Sequence, residues 1–418
     1  MRDGSSGSTV RTTPGGGRSA EAATEARGKQ TPRVVVGWLT QFAVGTDLFV
    51  LSPLLPDMAR GLGVSVGAMG AALTCFSVAY IVCAPLLGRA GDRFGRRTVL
   101  AWSLVVFTLA NLATALAPNY PVLIAVRVLA GVAAAGTGPT VYALTGAAAP
   151  AERRGTHLAV VGSGLLSALW AGAPLGSLVG HSWGWRVVFH ALAVGTVFLA
   201  VANVRLWRGA PGSAPGLGAA AERRSQANGL SPGLLVVGVT ALWALGVYLL
   251  YTFLGTAMQQ SGRSDWTVWS LVAYGVGAVP GSLLGGRLAD RVGAVRVATV
   301  ALVAAAMFEA AFAAVFDAHA TGLLLPVLLL FAVCAYAAFP AQQRRLLDRF
   351  PDSAAALMGW NNSALFLGIS VAGVLGPLLI DAWSYRGNVL VGASVALVAA
   401  LASVAVQRLL GARPQSGI

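Results

Sequence analysis

Three ionisable side chains stand inside long apolar runs of this sequence: Asp47 in FAVGTDLFVLSPLLP, Arg127 in LIAVRVLAG and Glu309 in MFEAAFAAVF. A charge in such surroundings is costly, so each is a functional candidate by default. A carboxyl group buried beside a guanidinium is pulled two ways. Burial favours the neutral acid and the cation favours the anion, so any event that alters one influence loads or releases a proton. Asp47 is therefore the candidate proton-coupling carboxylate and Arg127 its partner and sensor; the alternative is a purely structural buried pair. Enzyme chemistry finds little to stand on. There is no G-x-S-x-G, no H-E-x-x-H and no Walker P-loop, and the four histidines (His157, His181, His190, His319) are scattered. Cys75, Cys83 and Cys334 have no metal-ligand spacing and read as small apolar packing residues. No metal, nucleotide or other cofactor is expected, and ATP-driven pumping would need a nucleotide-binding domain this sequence lacks.

The elements that must position these groups follow from composition. Of 418 residues, 56% are hydrophobic and only 11% charged, far too apolar for a soluble globule. The net charge of +14 invites a nucleic-acid reading, but binders of that kind cluster basic residues on a water-facing surface. Here they fall in short gaps between apolar runs, so no nucleic-acid partner is expected. A bilayer core about 30 Å thick needs roughly 20 helical residues to cross it. Twelve runs qualify: 34–56, 67–88, 98–117, 121–146, 158–180, 186–206, 232–256, 266–286, 295–316, 322–341, 355–380 and 387–410. The fold class is all-α, a polytopic membrane protein. Span 1 is too long for a signal peptide and carries Asp47.

Of the 29 Lys and Arg residues, all but Arg60, Arg186, Arg263, Arg386 and the intramembrane Arg127 fall on one side of this arrangement. The positive-inside rule makes that side, with both termini, cytoplasmic. Residues 1–33 and 411–418 read as cytoplasmic tails, and the Gly-, Pro- and Ser-rich stretch 207–231 divides the spans six and six, into bundles over 34–206 and 232–410. A repeat supports two pseudo-symmetric halves: GRAGDRFGRR (Gly88 to Arg97) follows span 2 and GRLADRVG (Gly286 to Gly293) follows span 8. Duplicated helical halves with a site between them are a common transporter plan.

These residues resemble the major facilitator superfamily, and within it the twelve-helix drug:proton antiporters. The loop pattern G-x-L-a-D-r-x-G-r-r is matched by Gly88, Asp92, Arg93, Gly95, Arg96 and Arg97, with Ala90 where the family usually has Leu; the second copy keeps Gly286, Leu288, Asp290, Arg291 and Gly293. Arg127 and Gly131 match an R-x-x-x-G pattern in span 4. In span 5, WAGAPLGSLVG is similar to the antiporter pattern through Gly172, Pro174 and Gly176, with Ala173 where a Gly commonly precedes the Pro. GTDLFVLSPLLPDMA in span 1 and GWRVVF in span 6 also look like this exporter subgroup.

Depth and helix polarity give these motifs work to do. Asp47 lies nine residues from the outer end of span 1, roughly 13 Å deep, and Arg127 six residues from the start of span 4, roughly 9 Å deep; the resemblance implies that spans 1 and 4 both line the central cavity, so an ion pair is geometrically plausible. A carboxylate is stabilised at a helix N-terminus. Asp92 is expected to latch onto the start of span 11 near Ala354, and Asp290 onto the start of span 5 near residues 155–158, with Arg93, Arg96, Arg97 and Arg291 flanking the contacts. The resemblance implies a cavity walled by spans 1, 4, 7 and 10, offering Gln41, Phe42, Thr46, Tyr142, Trp243, Tyr248, Tyr251, Tyr336 and Phe339. Such a pocket, apolar and aromatic, suits a lipophilic or amphiphilic small molecule. The resemblance places span 9 at the periphery, which favours a structural or interfacial role for Glu309, with a second proton site as the alternative. The function expected is proton-coupled export of such compounds by a monomer in a bacterial inner membrane, driven by the proton gradient. A symporter or importer on the same fold, and a non-transporting receptor or intramembrane enzyme, remain as alternatives.

Overall fold

The computed structural model describes residues 30–150, 153–209, 230–318, 320–350 and 354–411. Most of both expected tails and of the 207–231 linker lies outside these residues. Everything regular among them is helical. Ten helices are long and apolar enough to cross a membrane, and a bent pair, Gln30–Phe49 with Leu51–Leu62, makes an eleventh crossing. The helix Ala354–Gly411 is too long for one crossing and is broken at Trp383 and Ser384, whose dihedral angles are non-helical. The count of twelve spans follows. Span 1 begins at Gln30 rather than 34, because Arg33 is tied back: its Nε donates to the Leu206 carbonyl at 2.9 Å and its cation lies 5.7 Å from the Trp207 ring.

Spans 1 to 6 pack mainly among themselves, as do spans 7 to 12; span 2 against 11, span 5 against 8, and the segments Leu51–Leu62 of span 1 and Leu254–Gln260 of span 7 join the two sets. Without a hydrophobic drive between helices in lipid, close approach depends on small residues. Span 5 presents Gly172, Gly176 and Gly180 four residues apart to Thr46, Val50 and Leu54 of span 1, spaced the same way. Span 8 presents Gly277, Gly281 and Gly285 to the carbonyls of Leu329, Val333 and Ala337 of span 10. A Cβ at any of these six glycines would overlap its neighbour.

Three spans are irregular, each for a chemical reason. Pro53 has no N–H to give the Phe49 carbonyl, and span 1 bends by 48° there. That carbonyl instead accepts from the Tyr251 hydroxyl at 3.2 Å. Pro174 likewise leaves the Trp170 carbonyl free, and span 5 widens into a π-helical turn over Ala168–Gly172. Span 7 breaks at Phe253 with no proline. Its carbonyls at Leu249, Leu250 and Tyr251 are taken by Asn388 Nδ2 (2.6 Å), the Tyr385 hydroxyl (2.8 Å) and the Ser52 hydroxyl (2.6 Å). Side-chain donors thus replace the backbone ladder where it is interrupted.

Candidate functional site

Asp47 and Arg127 meet. Arg127 Nη2 donates to Asp47 Oδ2 at 2.7 Å and both side chains are 0% exposed. The guanidinium is sandwiched between Phe76 of span 2 and Phe189 of span 6, at 5.4 and 5.6 Å from the ring centroids. Close approach is permitted by Gly131, one turn after Arg127, which lies against the Phe76 carbonyl. Satisfaction is incomplete: Asp47 Oδ1 and Arg127 Nε and Nη1 are buried with no hydrogen-bond partner among the described residues. A buried pair left with spare donors and a spare acceptor has offset only part of its desolvation cost. Asp47 also lies three residues before the bend at Val50 and two before Phe49.

Phe49 belongs to the contact between halves. Its ring packs on Tyr248 (6.3 Å) and edge-on to Tyr251 (5.9 Å). From there rings run through Tyr274 (4.7 Å from Tyr251) to Tyr336 (5.8 Å), then to Trp243 (5.8 Å) and to Phe339, stacked on Trp243 at 4.9 Å. Trp243 Nε1 is anchored on the Ala335 carbonyl at 2.6 Å, and Tyr274 donates to Tyr336 at 3.4 Å. So Trp243, Tyr248, Tyr251, Tyr336 and Phe339, expected as separate wall residues, form one continuous cluster; only Phe339 of the five keeps a half-buried face. A smaller polar group lies across from it. Asn362 of span 11 donates to the Tyr80 hydroxyl of span 2 at 2.7 Å, Phe366 stacks on Tyr80 at 3.8 Å, and Gln41 and the Tyr80 hydroxyl flank Gly138. Tyr142 faces Gln41 and approaches Gly162 of span 5.

Two expected cavity residues do other work. Thr46 donates to its own helix at Phe42 (2.8 Å) and fills the groove at Gly172, so it packs span 1 on span 5. Phe42 stacks on Trp38 at 5.4 Å. Gly172 and Gly176 form the floor of that same groove, and Pro174 sets the π turn against which Gly275 of span 8 lies. Sequence reasoning missed Tyr80, Tyr274, Asn362, Phe366 and Gly275. It also missed a second internal repeat, HSWGWR (181–186) and DAWSYR (381–386), which opens spans 6 and 12. Gly184 and Ser384 at its centre share positive φ, 89° and 65°. Arg186 donates to the Ala117 carbonyl at 3.1 Å and Arg386 to Asp317 at 2.9 Å.

The duplicated loops are held within their own halves. Asp92 pairs with Arg96 at 3.3 Å, Arg97 donates to the Val204 carbonyl at 3.0 Å, and Arg93 lies over Phe94. Asp290 pairs with Arg344 of span 10 at 3.6 Å. Gly95 and Gly293 end spans 2 and 8 at φ 91° and 98°, a region that favours glycine. Gly88 and Arg291 are exposed. The side chains at the start of span 11 lie outside those described, so the expected Asp92 contact cannot be drawn to them. The antiparallel registers are nonetheless clear. Gly67 lies against Pro377, Gly70 against Gly373, Thr74 bonds Ser370 at 3.0 Å and Tyr80 bonds Asn362. Continued, this carries Asp92 toward the start of span 11 at Ala354; Gly275 against Leu169 and Trp170 carries Asp290 toward the start of span 5. Among the described residues, side-chain hydrogen bonds between halves run from Tyr80–Asn362 to Ser52–Tyr251 and leave the arginine-rich end unbridged.

Glu309, on span 9, faces the neighbouring span 12. It is 0% exposed, neither oxygen has a hydrogen-bond partner among the described residues, and Oε1 lies against Gly392 of span 12.

Comparison with known proteins gives a consistent result. The sequence model of the Major Facilitator Superfamily matches residues 37–272 and 267–416. The chloramphenicol resistance protein of Streptomyces lividans is 34% identical over 252 residues, 60% of this chain and 64% of that protein. The inner membrane transport protein YdhP of Escherichia coli (strain K12) is 31% identical over 257 residues, 60% of this chain and 64% of its own length. Both alignments thus span just under two thirds of the relative. An uncharacterized MFS-type transporter of Bacillus subtilis (strain 168), YbcL, aligns over 90% of this chain and 95% of its own at 25% identity. Among solved structures, a D-xylose-proton symporter superposes with a TM-score of 0.73 at 18% identity, covering 89% of this chain and 96% of that one. A bacterial homolog of the human lysosomal transporter Spinster, inward-facing and unoccupied, gives 0.72 at 15% identity over 93% and 99%. Likeness at that identity establishes the fold.

Proposed function

The chain belongs to the Major Facilitator Superfamily, a membrane transporter rather than an enzyme, and from that premise we propose that it exports small amphiphilic molecules in exchange for protons. The observation that carries this is the buried Asp47–Arg127 pair three residues from the bend in span 1. Protonating Asp47 removes the charge that holds Arg127 Nη2. Span 1 is then released from span 4 at the point where Phe49 contacts Tyr248 and Tyr251, so occupancy of the acid biases the contact between halves. Conversely, rocking of the halves moves Asp47 between a paired and a proton-accepting arrangement. No nucleotide or metal enters this scheme.

The arginine-rich face is cytoplasmic in this reading, both termini with it, and the membrane is the bacterial inner membrane. The conformation described is then sealed outward by spans 1, 2, 7 and 11 and loosened inward. In the opposite state the inner ends close, and the two registers bring Asp92 and Asp290 to the starts of spans 11 and 5, where the helix N-termini favour a carboxylate. Substrate is held between the Tyr80–Asn362 group and the half-buried faces of Tyr142 and Phe339. Aromatic surface with a few amide and hydroxyl groups fits an uncharged amphiphile, and similarity to a chloramphenicol resistance protein supports chloramphenicol as the first compound to try.

The test is transport by the purified chain in proteoliposomes with an acidic lumen. The expected result is uphill accumulation of chloramphenicol by the wild type and a lower limit of accumulation for Asp47→Asn, which still carries out counterflow. A limit for Asp47→Asn equal to that of the wild type would remove Asp47 from the coupling, and accumulation with, rather than against, the proton gradient would make the protein a symporter.

A further inference from the structure

Glu309 has no part in the scheme above, yet its surroundings are unlike those of a structural side chain. Its carboxyl group is completely buried and both oxygens lack a hydrogen-bond partner among the described residues. Two glycines make its space: a Cβ on Gly392 would overlap Oε1 and come within 3.0 Å of the Gly246 carbonyl of span 7. The groups that face it from packed elements are uncharged. Tyr274 of span 8 and Tyr385 of span 12 are its electrostatic neighbours, and Asn388, one turn before Gly392, has a buried, unpartnered Oδ1. An anion here would have no counter-charge, and neither oxygen accepts a hydrogen bond among the described residues, so this burial favours the neutral acid.

The other half shows what the fold needs at this place. The repeat that aligns Asp92 with Asp290 aligns Asn111 of span 3 with Glu309. Asn111 is also fully buried, donates to the Phe107 carbonyl at 3.0 Å and leaves its Oδ1 unpartnered. A neutral amide therefore suffices structurally, and the glutamate differs from it chiefly in its capacity to take up and release a proton. A hydroxyl pair lies near it: Tyr274, its electrostatic neighbour, donates to Tyr336 at 3.4 Å, and Tyr336 packs on Trp243, beside the half-buried Phe339.

We propose that Glu309 is a second proton-binding site, in the C-terminal half, that exchanges with the central cavity through Tyr274 and Tyr336 and is loaded in the conformation described. On release, the carboxylic acid gives its proton to the Tyr274 oxygen as that hydroxyl passes its own to Tyr336, the direction in which Tyr274 donates, and Tyr336 passes its own to a water in the cavity. Each phenol ends with one O–H; the net change is carboxylic acid and water to carboxylate and hydronium, and loading runs the same steps in reverse once both hydroxyls have turned. The inference rests on proton-coupled export through Asp47, to which it adds one proton per cycle.

The experiment measures the limiting accumulation of chloramphenicol in proteoliposomes of the full chain, at zero membrane potential, with the lumen one pH unit more acidic. Each exchanged proton contributes a factor of ten, so the wild type is expected to reach about 100-fold and E309Q about 10-fold. Y274F should slow the approach to the limit without changing it, because a route alters rate and not equilibrium. A wild-type limit of about 10-fold, or an E309Q limit equal to that of the wild type, overturns the second site while leaving Asp47 coupling intact. Should E309Q fail to fold, the wild-type limit alone decides. A limit that follows an imposed sodium gradient at equal pH also overturns it, making Glu309 a cation ligand. Absence of any proton-driven accumulation by the wild type is the separate failure of the function proposed above.

Discussion

The N-terminal half buries two opposite charges against each other, and the C-terminal half buries one acid against nothing charged. Asp47 and Arg127 bring their own counter-charge and two flanking rings; Glu309 faces glycine, phenol and amide. Pseudo-symmetric packing therefore does not imply symmetric electrostatics. A pair responds to anything that competes for the guanidinium, whereas a lone acid responds only to proton supply and to burial. In the scheme proposed above, one half senses conformation and the other holds a proton through it.

The contrast is broken most sharply by removing one partner at a time. Arg127→Met leaves Asp47 buried without its one described partner and should cost about 3–5 kcal/mol, read as a fall in the thermal midpoint of the solubilised protein. The double variant Asp47→Leu/Arg127→Met should recover most of that loss. Glu309→Gln, close in volume and neutral like the protonated acid, should change stability by less than about 1.5 kcal/mol. If it is as damaging as Arg127→Met, Glu309 has an ionic partner and the two halves are electrostatically alike.

Glycine contacts sharpen the comparison next, because some lie within a half and some between halves. A Cβ at Gly131 meets the Phe76 carbonyl inside the first bundle; at Gly275 it meets the backbone of Leu169 and Trp170 across the interface. Either overlap is with backbone and should cost about 1–3 kcal/mol. Only the second is relieved when spans 5 and 8 part. Gly275→Ala should therefore shift the population by about tenfold away from the conformation described, measured by cysteine accessibility from the two faces. Gly131→Ala should lower stability without such a shift; equal shifts from both would deny that spans 5 and 8 move apart.

Much of this was legible in the sequence, and what was not has a physical reason. The span count, the duplicated Asp92 and Asp290 loops and the Asp47–Arg127 pair follow from hydropathy, repetition and depth, all of which survive projection onto a line. Rotation about a helix axis does not, when every side of the helix is apolar. Glu309 is surrounded by Ala, Val and Phe in MFEAAFAAVF, so the sequence holds no clue that it faces span 12 rather than lipid. Thr46 was misplaced for the same reason. Asn362 and Tyr80, 282 residues apart, are joined only by the register of spans 2 and 11. The Trp183 and Trp383 repeat, by contrast, was there to be read.

That repeat carries a smaller test. At its centre Gly184 adopts φ 89° and ψ 148°, and Ser384 φ 65° and ψ 175°, a region that costs a residue with a side chain about 1–3 kcal/mol. Ser384→Gly should relieve this, less the roughly 0.5–1 kcal/mol by which glycine favours the unfolded chain. A net gain of about 1 kcal/mol in thermal stability is expected, with transport unchanged. Gly184→Ser should lose about as much. A loss from Ser384→Gly would mean that the serine compensates its backbone through a contact the glycine cannot make.

The smallest effect separates the two gates. In the conformation described Asp290 holds only an exposed arginine, Arg344, a kind of pair worth little. Asp290→Asn should thus leave the stability of this state nearly unchanged. Its loss falls on the opposite state, where a carboxylate at the start of span 5 contributes about 0.3–1 kcal/mol. The population of the described conformation should rise about two- to fivefold, readable from spin-label distances between the inner ends of spans 5 and 8. Asp92→Asn should act with the same sign through spans 2 and 11. A larger shift from Asp92, whose loop keeps Arg96 and Arg97 where the second copy has Ala294 and Val295, would show that the gates divide the work unequally, as the buried charges do.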